Sequence, residues 1–366
     1  MTTAVLFGGP SPEHDVSILT GLQALRALAD RRPTGIYWTT TGSFFTVAPD
    51  VEAEAFLEGV PRGSSEVTLR VGEGGGFVAS GGRLGRERRL DVDVVVLATH
   101  GGPGEDGTLQ AALDLAGLAY TGPTVAGAAL GMDKWAFGAL AAQTGLPTLA
   151  RALLTPTTHS LAFDGPYILK PRFGGSSIGI DVVADLETAR ARLAANAHLS
   201  RGCVIEPYRD DLADLQIAVT TYPEVRLSQV ERPLRRTSAA EILDYRDKYV
   251  GGEGMLSAPR ELPAVISADQ VSLIEHCARV LVEAASVRGV ARIDFLANDR
   301  ELYVNEINTI PGSLAKHLFV DPPLAFTALL TGLLDEAVAR PAHRYSAEGA
   351  DGSVLRSAGS IAAKLA

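Results

Sequence analysis

Cysteine is almost absent from this 366-residue chain. The two present, Cys203 and Cys277, cannot make a disulfide framework, so the fold must rest on its core, and a reducing, cytoplasmic compartment is expected. Both sit among apolar neighbours and read as small buried hydrophobes. Positive charge is also short. A net charge of −10 leaves no electrostatic footprint for nucleic acid or an anionic membrane surface, and neither partner is expected. No apolar run is long enough to span a bilayer, and the opening "TAVLFGG" reads as a strand with no basic leader before it. Low-complexity tracts and internal repeats are missing too. The 38 glycines therefore point to backbone-led loops rather than to disorder.

Lysine is the scarcest cation. Of 33 Lys+Arg residues, only Lys134, Lys170, Lys248, Lys316 and Lys364 are lysines. In a chain that uses arginine almost everywhere, a retained lysine suggests a need for a compact ammonium, with chance as the plainer alternative. Lys364, near the end of the tail, reads as chance.

At this length two or three domains are expected. The first stretch alternates strands ("TAVLFGG", "PTGIYWTT", "VDVVVLATHGG") with helices ("EHDVSILTGLQALRAL" and about 106–116), which predicts an open parallel α/β sheet. Its ligand edge would carry Glu13, His14, His100, Glu105 and Asp106, acidic groups suited to a substrate ammonium. From about 123 a helix, "TVAGAALGMDKWAFGALAAQTG", precedes strand, glycine-rich turn and strand in "YILKPRFGGSSIGIDVV". Then come two strands around a polar turn, a polar stretch at 235–258 long enough to be a lid, and a helix at about 267–287. A hairpin, a helix near 324–339 and a polar tail complete the chain.

The hairpin carries the sharpest signal. "RIDFL" and "ELYVNEIN" are joined by the turn "ANDR". Alternation puts Arg292 with Asp294 on one face, and Glu306 with Asn308 on one face of the next strand. If the faces coincide, two carboxylates and an amide oxygen converge, a donor set for a hard cation such as Mg²⁺ with phosphates completing its shell. A salt-bridged hairpin, with Arg292 neutralising Asp294, is the alternative. The Pro311-Gly312 stop would free backbone N–H groups beside that site, a place for an oxyanion. "KPRFGGSSIG" offers N–H groups and the Ser176 and Ser177 hydroxyls to an anion, with Lys170 at its base and Lys134 nearby; a plain β-turn is the alternative. "VIEPY" could pair with adenine through its backbone, with Asp214 on the ribose.

Taken together, "GGPSPEHDVS", "HGGPGEDGTLQ", "MDK", "KPRFGGSSIG", "DYRDKY", "RIDF" and "NEINTIPG", in this order, resemble the D-alanine–D-alanine ligase family of the ATP-grasp superfamily. The resemblance implies an α/β protein (α+β in its ATP-binding part) of three domains. These are an N-terminal substrate-binding α/β domain (1–122), a central ATP-grasp subdomain (123–205) and a C-terminal one (206–345) with lid 235–258 and metal site, followed by a tail (346–366). It implies that ATP phosphorylates the carboxylate of one D-amino acid and that the amine of a second displaces phosphate, supplying peptidoglycan precursors. By family position, Glu13 would hold the first ammonium in a triad with Ser176 and Tyr249. Lys134, Lys170, Lys248 and the Ser176–Ser177 turn would hold phosphates. Glu206, Pro207, Arg209 (through its backbone), Asp214 and Asn305 would complete the ATP site. Asp294, Glu306 and Asn308 would bind two Mg²⁺ ions, with Mn²⁺ as a substitute, and Arg292 and the Gly312 N–H would stabilise the oxyanion. His100 would stand near the substrates.

After "NTIPG" the chain departs from the family. His317 falls where a serine is expected to help hold the second substrate's carboxylate, which makes Ser313, Lys316 and His317 the second-substrate candidates. A homodimer is expected from the family. The rival readings are a dipeptide or depsipeptide ligase with another acceptor, for a specialised pathway, and a non-catalytic nucleotide-binding module.

Overall fold

The computed structural model describes residues 1–79, 85, 87–234, 259–343 and 346–364. Strands β1 (Thr3–Gly8), β2 (Thr34–Trp38), β3 (Phe44–Val47), β4 (Ser65–Arg70), β5 (Gly76–Ala79), β6 (Arg88–Arg89), β7 (Val94–Leu97) and β8 (Ala119–Tyr120) form one eight-stranded sheet, in the order 6-5-4-3-2-1-7-8. The expected parallel sheet is only half of it. β2, β1, β7 and β8 run parallel, and beyond β2 every pairing is antiparallel. The loops at 39–43 and 71–75 explain the switch: they are too short for a crossover, so the strands they join must reverse.

Two four-stranded antiparallel sheets follow. β9 (Ala152–Leu154), β10 (Tyr167–Pro171), β11 (Asp181–Val183) and β12 (Cys203–Pro207) form the first, ordered 11-10-12-9. β13 (Ala213–Thr220), β14 (Arg226–Leu227), β17 (Val290–Ala297) and β18 (Leu302–Asn308) form the second, ordered 14-13-17-18, while β15 (Arg232–Pro233) and β16 (Arg260–Glu261) pair separately. Strand alternation sorts the side chains. In β10 and β12, Tyr167, Leu169, Cys203 and Ile205 enter a small core, and Ile168, Lys170 and Glu206 face a cleft. In β13 and β17, Leu215, Ile217, Ile293 and Phe295 enter a second core, while Asp214, Gln216, Asp294 and Leu296 line the same cleft.

The helix expected to run unbroken from 124 is two helices, Val125–Met132 and Lys134–Gln143. Asp133 breaks it by taking extended backbone and capping the second helix, its carboxylate accepting from the N–H groups of Trp135 (3.1 Å) and Ala136 (3.2 Å). Lys134 thereby becomes the first helical residue. The helix Phe326–Ala339 returns to the N-terminal sheet, where Leu329, Leu330, Leu333 and Leu334 join the core built by β1 and β7. Each fully buried leucine contributes on the order of 2 kcal/mol there. The lid expected at 235–258 lies outside the described residues. Among the described residues no helix is long and apolar enough to cross a membrane.

Candidate active site

The hairpin of β17 and β18 forms as expected, with Asp294 opposite Glu306 and Arg292 opposite Asn308. Its faces coincide, but through a feature that alternation alone does not predict. The register shifts between Asp294 and Phe295, so that Phe295 pairs with Val304 and Asn305 is the extra residue of a β-bulge. The bulge lets the consecutive residues Asn305 and Glu306 both reach the cleft while Val304 returns to the core. Arg292 grips Asp294 with two hydrogen bonds of 2.7 Å, and the Asn308 amide lies 3.1 Å from the same carboxylate. The salt-bridged hairpin and the oxygen-donor site are therefore the same object.

Across the cleft, Lys170 donates to Glu206 Oε2 (2.6 Å) and Asn305 Oδ1 (3.0 Å), which ties the two sheets together at the floor. Lys134 Nζ donates to the Gly174 carbonyl (2.6 Å) and lies 3.0 Å from Glu306 Oε2. A lysine at a helix's first turn opposes the helix dipole, so its placement needs the facing carboxylate. Burial alone would raise the Glu206 carboxyl, but Lys170 and then Arg151 hold it below the usual carboxylate range. The cleft measures about 1040 Å³ including its open mouth. Pro207, Arg209 and Asp214 line one end beside Leu149, Ile168, Leu212 and Leu296, an apolar slot of the kind a base occupies. The Arg209 side chain turns away to Asp211 (2.6 and 2.7 Å) and Glu301, so only its backbone is offered there.

The glycine-serine turn carries Ser176 and Ser177 in consecutive left-handed conformations, at φ 52° and 59°. Ser176 Oγ donates to Glu13 Oε1, latching the turn onto the N-terminal domain. Two glycines make room for that carboxylate: a Cβ at Gly101 would lie 2.3 Å from Glu13 Oε2, and one at Gly175 2.9 Å. Tyr249 and Lys248 lie outside the described residues.

The segment 309–313 is stapled to the N-terminal domain at three points. Ile310 N–H donates to Glu105 (2.9 Å), the Ile310 carbonyl meets His100 Nδ1 (2.7 Å), and Ser313 N–H donates to Thr20 Oγ1 (3.0 Å). Thr20 Oγ1 also lies 2.7 Å from His100 Nε2. Since Thr20 accepts from Ser313 and His100 must donate to a carbonyl, the imidazole carries its proton on Nδ1 and accepts from Thr20 on Nε2. Burial lowers the His100 pKa, in agreement with this neutral form. Both nitrogens are engaged, so His100 holds the turn that presents Gly312. Glu105 is a further part of this support, raised to about 7 by burial and then by Glu13. His14, expected at the sheet's ligand edge, is buried, between the Gly9 carbonyl (2.7 Å) and Tyr37 Oη (3.0 Å).

The second-substrate candidates are placed less directly. Ser313, Leu314 and Ala315 form a left-handed turn at φ 47°, 50° and 51°. Lys316 Nζ sits over the Phe326 ring, 4.7 Å from its centroid. His317 Nε2 lies 3.4 Å from the buried Glu231, which also pairs with Arg260 at 3.0 Å. Neither Lys316 nor His317 lines the cleft or the neighbouring cavity at Glu13. Reasoning from sequence missed Arg151, Glu231 and the apolar slot, because none belongs to a local motif.

Two family models match the chain: one described as "D-ala D-ala ligase N-terminus" over residues 2–123, and one described as "D-ala D-ala ligase C-terminus" over 140–334. A D-alanine–D-alanine ligase of Nocardia farcinica is 33% identical over 371 residues, covering 92% of this chain and 97% of its own. The Mycobacterium ulcerans enzyme of the same name is 30% identical over 375 residues, covering 93% and 96%. Among solved structures, a D-alanine–D-alanine ligase from Coxiella burnetii aligns with TM-score 0.76 at 22% identity, over 93% of this chain and 94% of its own. VanG, a D-Ala:D-Ser ligase from Enterococcus faecalis, aligns with TM-score 0.73 at 22% identity, over 92% and 99%. At those identities the solved structures speak for the fold alone.

Proposed function

The chain belongs to the D-alanine–D-alanine ligase family, and from that membership we propose that it joins two D-alanines to D-alanyl-D-alanine at the expense of ATP, for peptidoglycan precursor synthesis. One observation carries the reading. Lys134 and Lys170 on one wall of a cleft face the Asp294–Glu306 pair on the other, beside the Glu13–Ser176 latch.

Adenosine lies in the apolar slot with its base against the 206–209 backbone and its ribose at Asp214. Lys134 and Lys170 meet the phosphates, whose negative charge is the main obstacle to transfer onto a carboxylate. The donor set suits a hard cation. Asp294, Glu306 and Asn308 supply oxygen only, and the phosphates complete the shell. These three would hold Mg²⁺, as two ions, with Mn²⁺ as a substitute. When bound, the metal neutralises charge on the transferred phosphoryl group. Arg292 and Lys134, now paired with Asp294 and Glu306, can then turn to substrate anions, one ion pair exchanging for another.

Glu13, latched to Ser176, takes the ammonium of the first D-alanine. A carboxylate oxygen of that D-alanine attacks the γ-phosphorus, ADP departs and an acyl phosphate forms. The amine of the second D-alanine adds to the acyl carbon and loses a proton, and the tetrahedral oxyanion collapses with loss of phosphate. Arg292 and the Gly312 N–H, on its stapled turn, stabilise that oxyanion by about 3 kcal/mol per well-placed donor. Of the proposed domains, 123–205 and 206–345 form the two walls of the nucleotide cleft, and 1–122 supplies Glu13 and the staples. A homodimer in the cytoplasm is the working form we propose.

The test is phosphate release from Mg-ATP with D-alanine, L-alanine or no amino acid, with products weighed by mass spectrometry. D-alanyl-D-alanine formed from D-alanine alone supports the reading. The turned-away Lys316 and His317 favour one second reading, a ligase with another acceptor. Phosphate release with D-alanine but without that dipeptide, and a mixed product when D-serine or D-lactate is added, would establish it instead.

A further inference from the structure

Arg151 belongs to no motif, yet it sits behind the phosphate-binding lysines. It directly precedes β9, and its side chain is only 7% exposed. One guanidinium nitrogen, Nη2, lies 3.1 Å from Glu206 Oε1, and the other, Nη1, donates to the Lys134 carbonyl at 2.7 Å. Its Nε is buried with no partner among the described residues. Glu206 thus carries two cations, Arg151 on Oε1 and Lys170 on Oε2, the latter at 2.6 Å. Without Arg151, a fully buried carboxylate would have Lys170 as its one close cation, and the lysine's charge would be consumed where it stands. With Arg151 present the cluster keeps one positive charge in excess, facing the cleft.

The surroundings are shaped for the guanidinium. Gly138 lies one helical turn beyond Lys134, and a Cβ there would fall 2.0 Å from Arg151 Nη1. The flat, forked guanidinium can reach Glu206 and the Lys134 carbonyl at once, which an ammonium cannot.

We infer that Arg151 is a positioning residue for the nucleotide phosphates: by neutralising Glu206 it frees the charge of Lys170, and by holding the Lys134 carbonyl it aims the second lysine. This rests on the ligase reading above and extends it to a residue outside the cleft. Arg151 lines no wall and meets ATP only through the two lysines.

The experiment compares MgATP with adenosine as ligands of the full-length protein by calorimetry, alongside steady-state kinetics. In R151M the affinity ratio of MgATP to adenosine falls roughly tenfold, and KM for ATP rises while KM for the amino acid stays. R151K falls between, because it restores charge without the fork. R151M/E206Q returns the ratio toward wild type, since the carboxylate that consumes Lys170 is gone. G138A, which displaces the guanidinium without deleting it, lowers the ratio in the same direction and covers the case in which R151M does not fold. An unchanged ratio in folded R151M, or equal losses for both ligands, overturns the inference and leaves a structural arginine. Wild-type protein indifferent to the phosphates would instead overturn the ligase reading on which it rests.

Discussion

Around the two cleft lysines the charged side chains hold one another, whereas at the turn 309–318 the backbone is held by side chains from elsewhere. Lys170 is bound by Glu206 and Asn305, Lys134 by Glu306, and Arg292 by Asp294. The turn hangs instead on Glu105, His100 and Thr20, all from the N-terminal domain. Pairs of opposite charge can be re-partnered by an incoming phosphate or metal ion, because one ion pair replaces another. A stapled backbone cannot shift without leaving buried donors unsatisfied, at about 1–3 kcal/mol each. One wall is built to exchange its partners, and the other is built to stay where it is.

Three changes probe this contrast. The largest effect belongs to Asp294→Asn, which removes charge from the adaptable wall. Phosphate release should fall about a thousandfold, since both the proposed metal donor and the partner of Arg292 are altered, while the melting temperature changes little. A loss of folding in place of a loss of turnover would mean that this wall, too, is rigid. Thr20→Val comes next. It keeps shape but deprives Ser313 N–H of its acceptor and His100 of its donor, so stability should drop by about 2 kcal/mol in denaturant titration. The turnover number should fall with KM for ATP unchanged; a rise in that KM would show the two walls to be coupled.

The smallest effect is a slope. Glu105 titrates at about 7 in the folded protein against a usual 4.5, so the native state holds this proton more tightly than the unfolded chain. The stability it contributes is full below pH 4.5 and is lost as pH climbs through about 7. Glu105→Gln removes the titration. Its melting temperature should therefore fall less steeply than wild type between about pH 5 and pH 7. Parallel curves for the two proteins would remove Glu105 as the source.

Much of the site was legible because its signals are local. Period-two alternation put Arg292, Asp294, Glu306 and Asn308 on one surface, and the retained lysines at 134 and 170 do face that surface. The bulge at Asn305 was not legible, since a one-residue insertion leaves the apolar pattern of β18 looking regular. Nor was the break at Asp133. Apolar residues continue on both sides of it, and the features that go with the extended backbone, the bidentate partner Arg172 (2.8 and 2.5 Å) and a backbone bridge to Phe173, lie far along the chain. The antiparallel half of the first sheet escaped notice because residues 44–89 alternate weakly and end in exposed arginines. The pairings of Arg151 with Glu206 and of Glu231 with His317 each join residues more than fifty positions apart, beyond the reach of any window.

The return of Phe326–Ala339 to the first sheet also bears on how the chain is made. On a ribosome, β1 emerges before the helix that completes its core, which follows roughly 15–60 s later at ordinary elongation rates. Through that interval the face of β7 that awaits Leu330 and Leu334 has no native cover. The nascent protein therefore completes this core only once the helix Phe326–Ala339 has emerged, and premature termination before residue 326 would release a chain whose first sheet is apolar on one side.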